Sequence, residues 1–412
     1  MSIKTKVLIV DDSRIFRSAI EESLSGENDI KVVGSVRNGV KAIEFIKSAP
    51  PDLVTLDVEM PDMDGLQTLA AIQRINASDK NIPPIGVIMI SSFTQKGADI
   101  TIRALEAGAF DFITKPEGKR PRESIEILRR QLVVKVRYFA ARRISSSLIR
   151  KTPAISLAPS RSHANAGERN EAGEGERNEA SVYRQKPDIL RARTGFPEQN
   201  RKVIPLRKNQ KRGTHILSKI HAILIGVSTG GPKALAEMLP HLCEKIRIPI
   251  FIVQHMPATF TQSLANSLNA RCGYTVTEAG NNNIVQDRHA YIAPGGKHML
   301  LRREDDNVRI VINKRPPEKG CRPSVDILFR SAATVYDGNL IAVILTGMGV
   351  DGTKGAGILK RAGAYIIAQD QESSVVWGMP GSAEASGNVD KVIPLGKIPE
   401  AVSTIIYKTG GA

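Results

Sequence analysis

The sequence predicts an α/β protein of two domains, and three observations carry that expectation. At 412 residues the chain exceeds what one ordinary core accommodates. Short, wholly apolar runs recur along it, each ending in polar residues, as buried parallel strands do. Helix-length amphipathic stretches alternate with those runs, the order a doubly wound sheet requires.

The first domain follows element by element. Lys6 to Val10 ends at Asp11 and Asp12, Leu53 to Leu56 ends at Asp57, and Ile85 to Ile90 ends at Ser91. Ala109 to Ile113 is followed by Lys115 and Pro116, while Ser13 to Leu24 and Gly39 to Ser48 have helical length. Ligands of such a sheet gather at the carboxyl ends of its strands. That edge therefore collects three carboxylates, a hydroxyl and an ammonium. Carboxylates held together need a hard divalent cation between them, and Mg²⁺ suits, because it takes few protein oxygens and keeps waters and phosphate oxygens. Asp57 is then a nucleophile toward a phosphoryl donor. Lys115 pairs with the incoming oxygens, and Ser91 moves to bond the new phosphate.

From Ser124 to Ile144 apolar positions recur at helical spacing, predicting a last helix that runs into a linker. Ser145 to Lys211 is rich in Ser, Arg, Glu, Asn and Pro, with GERNEA occurring twice, and is expected to be disordered. The net charge is +16, and residues 142–213 hold 17 Lys and Arg against 7 Asp and Glu. Most of the basicity thus lies in this segment, which reads as a tether or as a weak contact site for acidic partners. A DNA-binding output would need a small, basic, helical C-terminal domain, which the glycine-rich strand ends do not suggest; no nucleic-acid partner is expected. Three cysteines without C-x-x-C spacing fit neither a disulfide framework nor a zinc site, and suggest a reducing compartment. No apolar run approaches a membrane span, so a soluble, cytoplasmic protein without membrane insertion is expected.

Beyond the linker, His221 to Val227 runs into the turn Gly226 to Gly231, which exposes Ser228 where backbone amides favour an oxyanion. Ile248 to Val253 leads to His255, and Asn339 to Leu345 leads to Asp351. Three loops on one edge supply a nucleophile, a base and an orienting acid. His298, after Gly295 and Gly296, is the rival base, or else a site-lining or structural residue. Taken singly, Ser228 would more often be a helix N-cap and His255 a satisfied strand-end residue; their joint placement with Asp351 favours the catalytic reading. Gly226, Ser228 and Gly231 also echo the G-x-G-x-x-G nucleotide turn, with a serine where the second glycine belongs. Arg322, Ser324 and Asp326 read equally as cleft residues that meet an acidic helix or as caps and ion pairs.

Residues 5–125, with the Asp pair, LDVEMPDMDG, SSFT and TKP, resemble the response-regulator receivers. Residues from about 220 to 408, with GVSTGGP, QHMP, YIAPGGKHM, CRPSVDILFRSAA, LTGMGVDGTKG and SSVVWGMPGSA in order, resemble the catalytic domain of the bacterial chemotaxis protein-glutamate methylesterases. The resemblance implies a doubly wound, flavodoxin-like receiver (5–125), a helix extension and linker (126–214), and an α/β methylesterase domain with a mainly parallel sheet (215–408). It also implies that Asp12, Asp57 and the Glu59 carbonyl bind Mg²⁺ with Asp11 assisting, that a histidine kinase phosphorylates Asp57, and that Phe112 is the aromatic switch beside Ser91 and Lys115. On the hydrolase it implies Ser228, His255 and Asp351 as catalytic residues, with no cofactor, and the Thr229 and Met348 amides as oxyanion donors. The implied substrates are glutamyl methyl esters and specific glutamines of chemoreceptors, acted on by a monomer. Val227 stands where that family more often has alanine, and the linker is unusually long and basic; neither touches the three catalytic positions.

Overall fold

The computed structural model describes residues 4–78, 83–116, 120–151 and 219–410. The linker expected between the domains lies, beyond Lys151, outside the described residues. The flanking regions belong to one compact unit.

The first region alternates strand and helix: β1 Thr5–Val10, α1 Arg14–Leu24, β2 Ile30–Val36, α2 Gly39–Ser48, β3 Leu53–Asp57, α3 Gly65–Ser78, β4 Gly86–Ser91, α4 Gln95–Glu106, β5 Asp111–Thr114 and α5 Pro121–Lys151. Apolar residues on β1, β3 and β4 are almost fully buried, as the uninterrupted runs require. All pairings are parallel, in the order β2-β1-β3-β4-β5. The order reverses between β1 and β3, the crevice where a doubly wound sheet binds its ligand. Ser13 and Asn38 cap α1 and α2 with their side chains, so both helices begin where the sequence predicted.

Helix α5 starts earlier than the periodicity suggested and runs on past residue 144, about 46 Å in length. Leu128, Leu132, Val136 and Phe139 bury one stripe in the same cluster as Ile20 and Leu24 of α1. Arg129 and Arg137 on its other side pair with Glu27 and Asp29. The domain boundary expected at residue 125 therefore falls inside a continuous helix.

The second region contains β6 Ala222–Val227, α6 Gly231–Lys245, β7 Ile250–Gln254, α7 Phe260–Asn269, β8 Thr275–Glu278, β9 His289–Ile292, β10 His298–Glu304, β11 Asn307–Asn313, α8 Val325–Tyr336, β12 Leu340–Ile344, α9 Thr353–Ala362, β13 Tyr365–Gln369, α10 Met379–Ala385, β14 Lys391–Ile393 and α11 Ile398–Lys408. Seven strands form a wholly parallel sheet in the order β14-β13-β12-β6-β7-β9-β8. The central three, β12, β6 and β7, end in the loops that carry Asp351, Ser228 and His255. The sequence reading did not anticipate the antiparallel hairpin β10-β11, which stands outside this sheet. Its charged, half-exposed strands lack the solid apolar runs that betrayed the others.

The two regions share a core. Helix α4 packs on α6 and α7. Leu105 and Phe112 join a cluster with Leu235 and Phe260, and Met348, Val375 and Val376 join the cluster around α5.

Candidate functional site

In the first region the acidic edge assembles as expected. Asp11 and Asp57 are buried, Asp12 is exposed, and their carboxylates offer three ligand atoms within 4.8 Å of one another. Lys115 Nζ donates to Asp57 Oδ2 at 2.7 Å. It also lies 3.0 Å from Asp11 Oδ2, out of hydrogen-bonding direction, so that buried oxygen has an ion pair and no hydrogen bond. Burial first, and then the charge of Asp11, push the Asp57 carboxyl up to about 6 against the opposing pull of Lys115. Such a carboxylate cluster fits a hard cation, whose charge would remove the repulsion. The Ser91 hydroxyl donates to the Gly97 carbonyl at 3.1 Å, and the Glu59 side chain pairs with Lys96.

In the second region the local sequence explains each placement. Strand β6 delivers Ser228 into a turn closed by Gly230 at φ +80°, from which α6 starts. Gly347 lets the β12 loop lie against that turn, because a Cβ there would come within 2.8 Å of the Ser228 Cβ. Gln254 at the end of β7 is buried, and its Nε2 donates to the carbonyls of Ser228 (2.9 Å) and His255 (3.4 Å), tying the two loops together.

His255 Nε2 and Asp351 Oδ2 are 2.9 Å apart. Asp351 also accepts from Ser324 Oγ and from the amides of Val325, Asp326 and Gly352, at 2.7 to 3.0 Å. Three of these donors cap the start of α8, where the helix dipole favours a negative charge. Burial opposes ionisation of Asp351, but the His255 contact and these hydrogen bonds hold its carboxyl below the usual range. Burial likewise opposes a charged His255, and there the Asp351 and Cys321 side chains win, pushing the ring up to about 9. In the neutral ring Nε2–H donates to Asp351, which leaves Nδ1 as the acceptor on the side of Cys321, whose Sγ is 4.0 Å away.

Ser228, His255, Cys321 and Met348 line one cavity of about 740 Å³. The Ser228 hydroxyl has no side-chain partner among the described residues, and the Thr229 and Met348 amides donate no backbone hydrogen bond there. His298, the rival base, is fully buried and donates from Nε2 to the Pro316 carbonyl at 3.1 Å, away from this cavity. Of the RPSVD residues, Ser324 holds Asp351, buried Asp326 pairs with Lys319 and accepts from the Gly355 amide, and Arg322 reaches the cavity wall.

The other wall of the cavity comes from the first region and includes Phe112 and Lys135. Asp111 is buried, and its Oδ2 accepts from Thr229 Oγ1 (2.7 Å) and pairs with Lys135 (2.5 Å). Phe112 stacks on Phe260 with ring centroids 4.6 Å apart. Glu106 accepts from Ser267 (2.6 Å) and Arg271 (2.5 Å), and Gln95 donates to Ser263 (2.7 Å). Sequence reasoning missed Asp111, Glu106 and Gln95. Each stands alone in its segment as an ordinary polar residue, and its significance arises only from a surface distant in sequence.

Fold and site together define an α/β hydrolase joined to a second doubly wound sheet, with an acidic pocket in one region and a serine, histidine and aspartate edge in the other. Residues 7–125 match the response regulator receiver domain, and residues 223–402 match the CheB methylesterase family. The chain is 39% identical over 401 residues to the protein-glutamate methylesterase/protein-glutamine glutaminase of Trichodesmium erythraeum, covering 97% of this chain and 98% of that one. It is 40% identical over 401 residues to the protein of the same name from Desulfotalea psychrophila, covering 96% and 97%. The CheB methylesterase catalytic domain of Thermotoga maritima, a solved structure, is 42% identical over 46% of this chain and 98% of its own, with a TM-score of 0.44. The chain belongs to the protein-glutamate methylesterase/protein-glutamine glutaminase family.

Proposed function

We propose that this protein is a phosphorylation-activated serine hydrolase that demethylates glutamyl methyl esters of chemoreceptors and deamidates specific receptor glutamines, as part of chemotactic adaptation in the cytoplasm. The observation that carries this reading is the His255–Asp351 bond. It commits Nε2 and leaves Nδ1 to face the cavity that Ser228 also lines. Ser228 Oγ attacks the side-chain carbonyl while His255 Nδ1 takes its proton, and Asp351 holds the ring and stabilises the imidazolium. The Thr229 and Met348 amides receive the oxyanion. The tetrahedral intermediate expels methanol from an ester or ammonia from an amide, with His255 returning the proton to the leaving group. Water then releases the glutamate by the reverse of these steps.

Control begins at Asp57, the proposed phosphate acceptor. Asp12 and Asp57, with the Glu59 carbonyl and with Asp11 assisting, would hold Mg²⁺, which neutralises charge on the phosphoryl oxygens; a chemotaxis histidine kinase is the proposed donor. Ser91 and Lys115 draw toward the new phosphate. Phe112, in the strand next to Ser91, is stacked on Phe260, and its neighbour Asp111 grips Thr229. In the resting state these contacts wall the cavity. Phosphorylation weakens them and opens Ser228 to a receptor helix. The chain acts as a monomer, in which residues 5–125 sense, residues 215–408 hydrolyse, and residues 126–214 connect. Among the described residues no helix is long and apolar enough to cross a membrane, and none is needed for this role.

Methanol release from methylated receptor, with and without a small phosphodonor, tests the reading. Wild type should accelerate with the donor, Asp57→Asn should not, and Ser228→Ala should be inactive throughout. Equal rates in all three would sink it.

A further inference from the structure

Cys321 has no part in the mechanism above, yet its sulfur lies 4.0 Å from His255 Nδ1. Its position is held firmly. The Cys321 amide and carbonyl both bond to Glu318, at 2.9 and 3.1 Å, and Glu318 is clamped by Arg330 at 2.7 and 2.5 Å. Across the ring, Asp351 fixes Nε2, and Asp351 is itself fixed by four other donors. A histidine that gives one nitrogen to a fixed carboxylate and offers the other beside a thiol has the arrangement of a metal ligand with its outer partner in place.

Tetrahedral zinc, with Zn–N near 2.0–2.1 Å and Zn–S near 2.3 Å, spans its nitrogen and sulfur ligands by about 3.6 Å. The observed pair needs to close by only about half an ångström to meet it. Both atoms belong to residues that line the cavity, so two further positions on an ion would be left for water. The donor set is soft, whereas the carboxylates at the other end of the molecule are hard; Mg²⁺ and zinc would therefore sort between the two clusters.

We propose that His255 Nδ1 and Cys321 Sγ form an inhibitory site for Zn²⁺. This deepens the hydrolase reading and rests on it in one respect, that Nδ1 is the base. Binding displaces the thiol proton, and with it the Nδ1 proton of the charged ring, to solvent and leaves a zinc–thiolate and a zinc–imidazole bond. The ion takes the lone pair that must accept the Ser228 proton, so hydrolysis stops while phosphorylation at Asp57 is untouched.

The test uses the full chain, saturated with Mg²⁺, in chelator-buffered metal. Cobalt(II) as a spectroscopic substitute should give a near-ultraviolet sulfur-to-metal band in wild type and in Cys272→Ser, and none in Cys321→Ser or Cys321→Ala. Zinc should inhibit methanol release reversibly, and each Cys321 variant, scaled to its own chelator-treated rate, should need at least about tenfold more free zinc for half-inhibition. An unchanged band and unchanged zinc sensitivity in both Cys321 variants overturn the site, as does loss of the band in Cys272→Ser alone. A Cys321-dependent band without inhibition upholds the metal site and removes His255 as the base.

Discussion

Asp351 divides its two carboxylate oxygens among five donors, which leaves His255 no freedom to turn its ring. Asp351→Asn would present an amide donor to Nε2–H and favour the wrong tautomer. The expected loss in kcat is about 10³ to 10⁴ with the fold intact, checked by steady-state kinetics beside circular dichroism. The raised pKa of His255, about 9, means that the resting enzyme holds the ring protonated at neutral pH. Only the neutral ring is a base, so kcat/KM of the unphosphorylated enzyme should climb between about pH 7 and 9; a flat profile would contradict this. The linkage has the matching sign. A charged His255 contributes stability that is fully present below its unfolded pKa near 6.5 and lost as pH rises through about 9. Asp57 carries the same sign in a lower pH window. Its folded pKa of about 6 exceeds the ordinary carboxylate value, so stability falls as pH rises from about 4 to 6. Without Mg²⁺, Asp57→Asn should raise stability at pH 7 by up to about 3 kcal/mol, read from urea denaturation, and added Mg²⁺ should shrink the difference.

At the scale of elements, α4 and β5 meet α7 and the Ser228 turn through a few specific contacts. The Phe112–Phe260 stack is worth about 0.5–1.5 kcal/mol beyond the area it buries. Glu106 accepts from Ser267 on α7 and from the charged Arg271 in the turn just beyond it, with its own carboxylate well buried. Removing either contact should favour the open arrangement before any phosphate arrives. Phe112→Ala and Glu106→Ala should each raise methanol release by the unphosphorylated enzyme about three- to thirtyfold, while the phosphodonor-stimulated rate changes little. A fall in both rates would instead mark these side chains as simple packing. The middle of α5 belongs to the same surface, since Lys135 completes the ion pair that holds Asp111 beside Thr229.

For the whole molecule, the proposed control is a population shift between closed and open arrangements of two well-packed sheets. The phosphate can move that balance only by the free energy with which it prefers one of them. Phosphodonor should therefore increase hydrogen exchange in α4 and α7 and leave the central strands β1, β3, β6 and β12 protected, whereas Asp57→Asn should show neither change. Exchange that rises across both sheets would indicate unfolding rather than domain opening.

The sequence by itself determined which strands are buried and what stands at their ends. An apolar run broken by Asp, Ser or His is local information, and parallel sheets bring such ends to one edge. Asp11, Asp57, Lys115, Ser228, His255 and Asp351 were legible for that reason. The β10-β11 hairpin was not, because half-exposed strands carry no continuous apolar signal. Only the tertiary structure decided that His298 is a core residue, that Ser324 and Asp326 brace the site, that Cys321 faces the base, and that Asp111 reaches Thr229. These pairs join residues up to 118 positions apart. Their meaning lies in which surfaces meet, and hydrophobic periodicity reports burial without naming the partner that provides it.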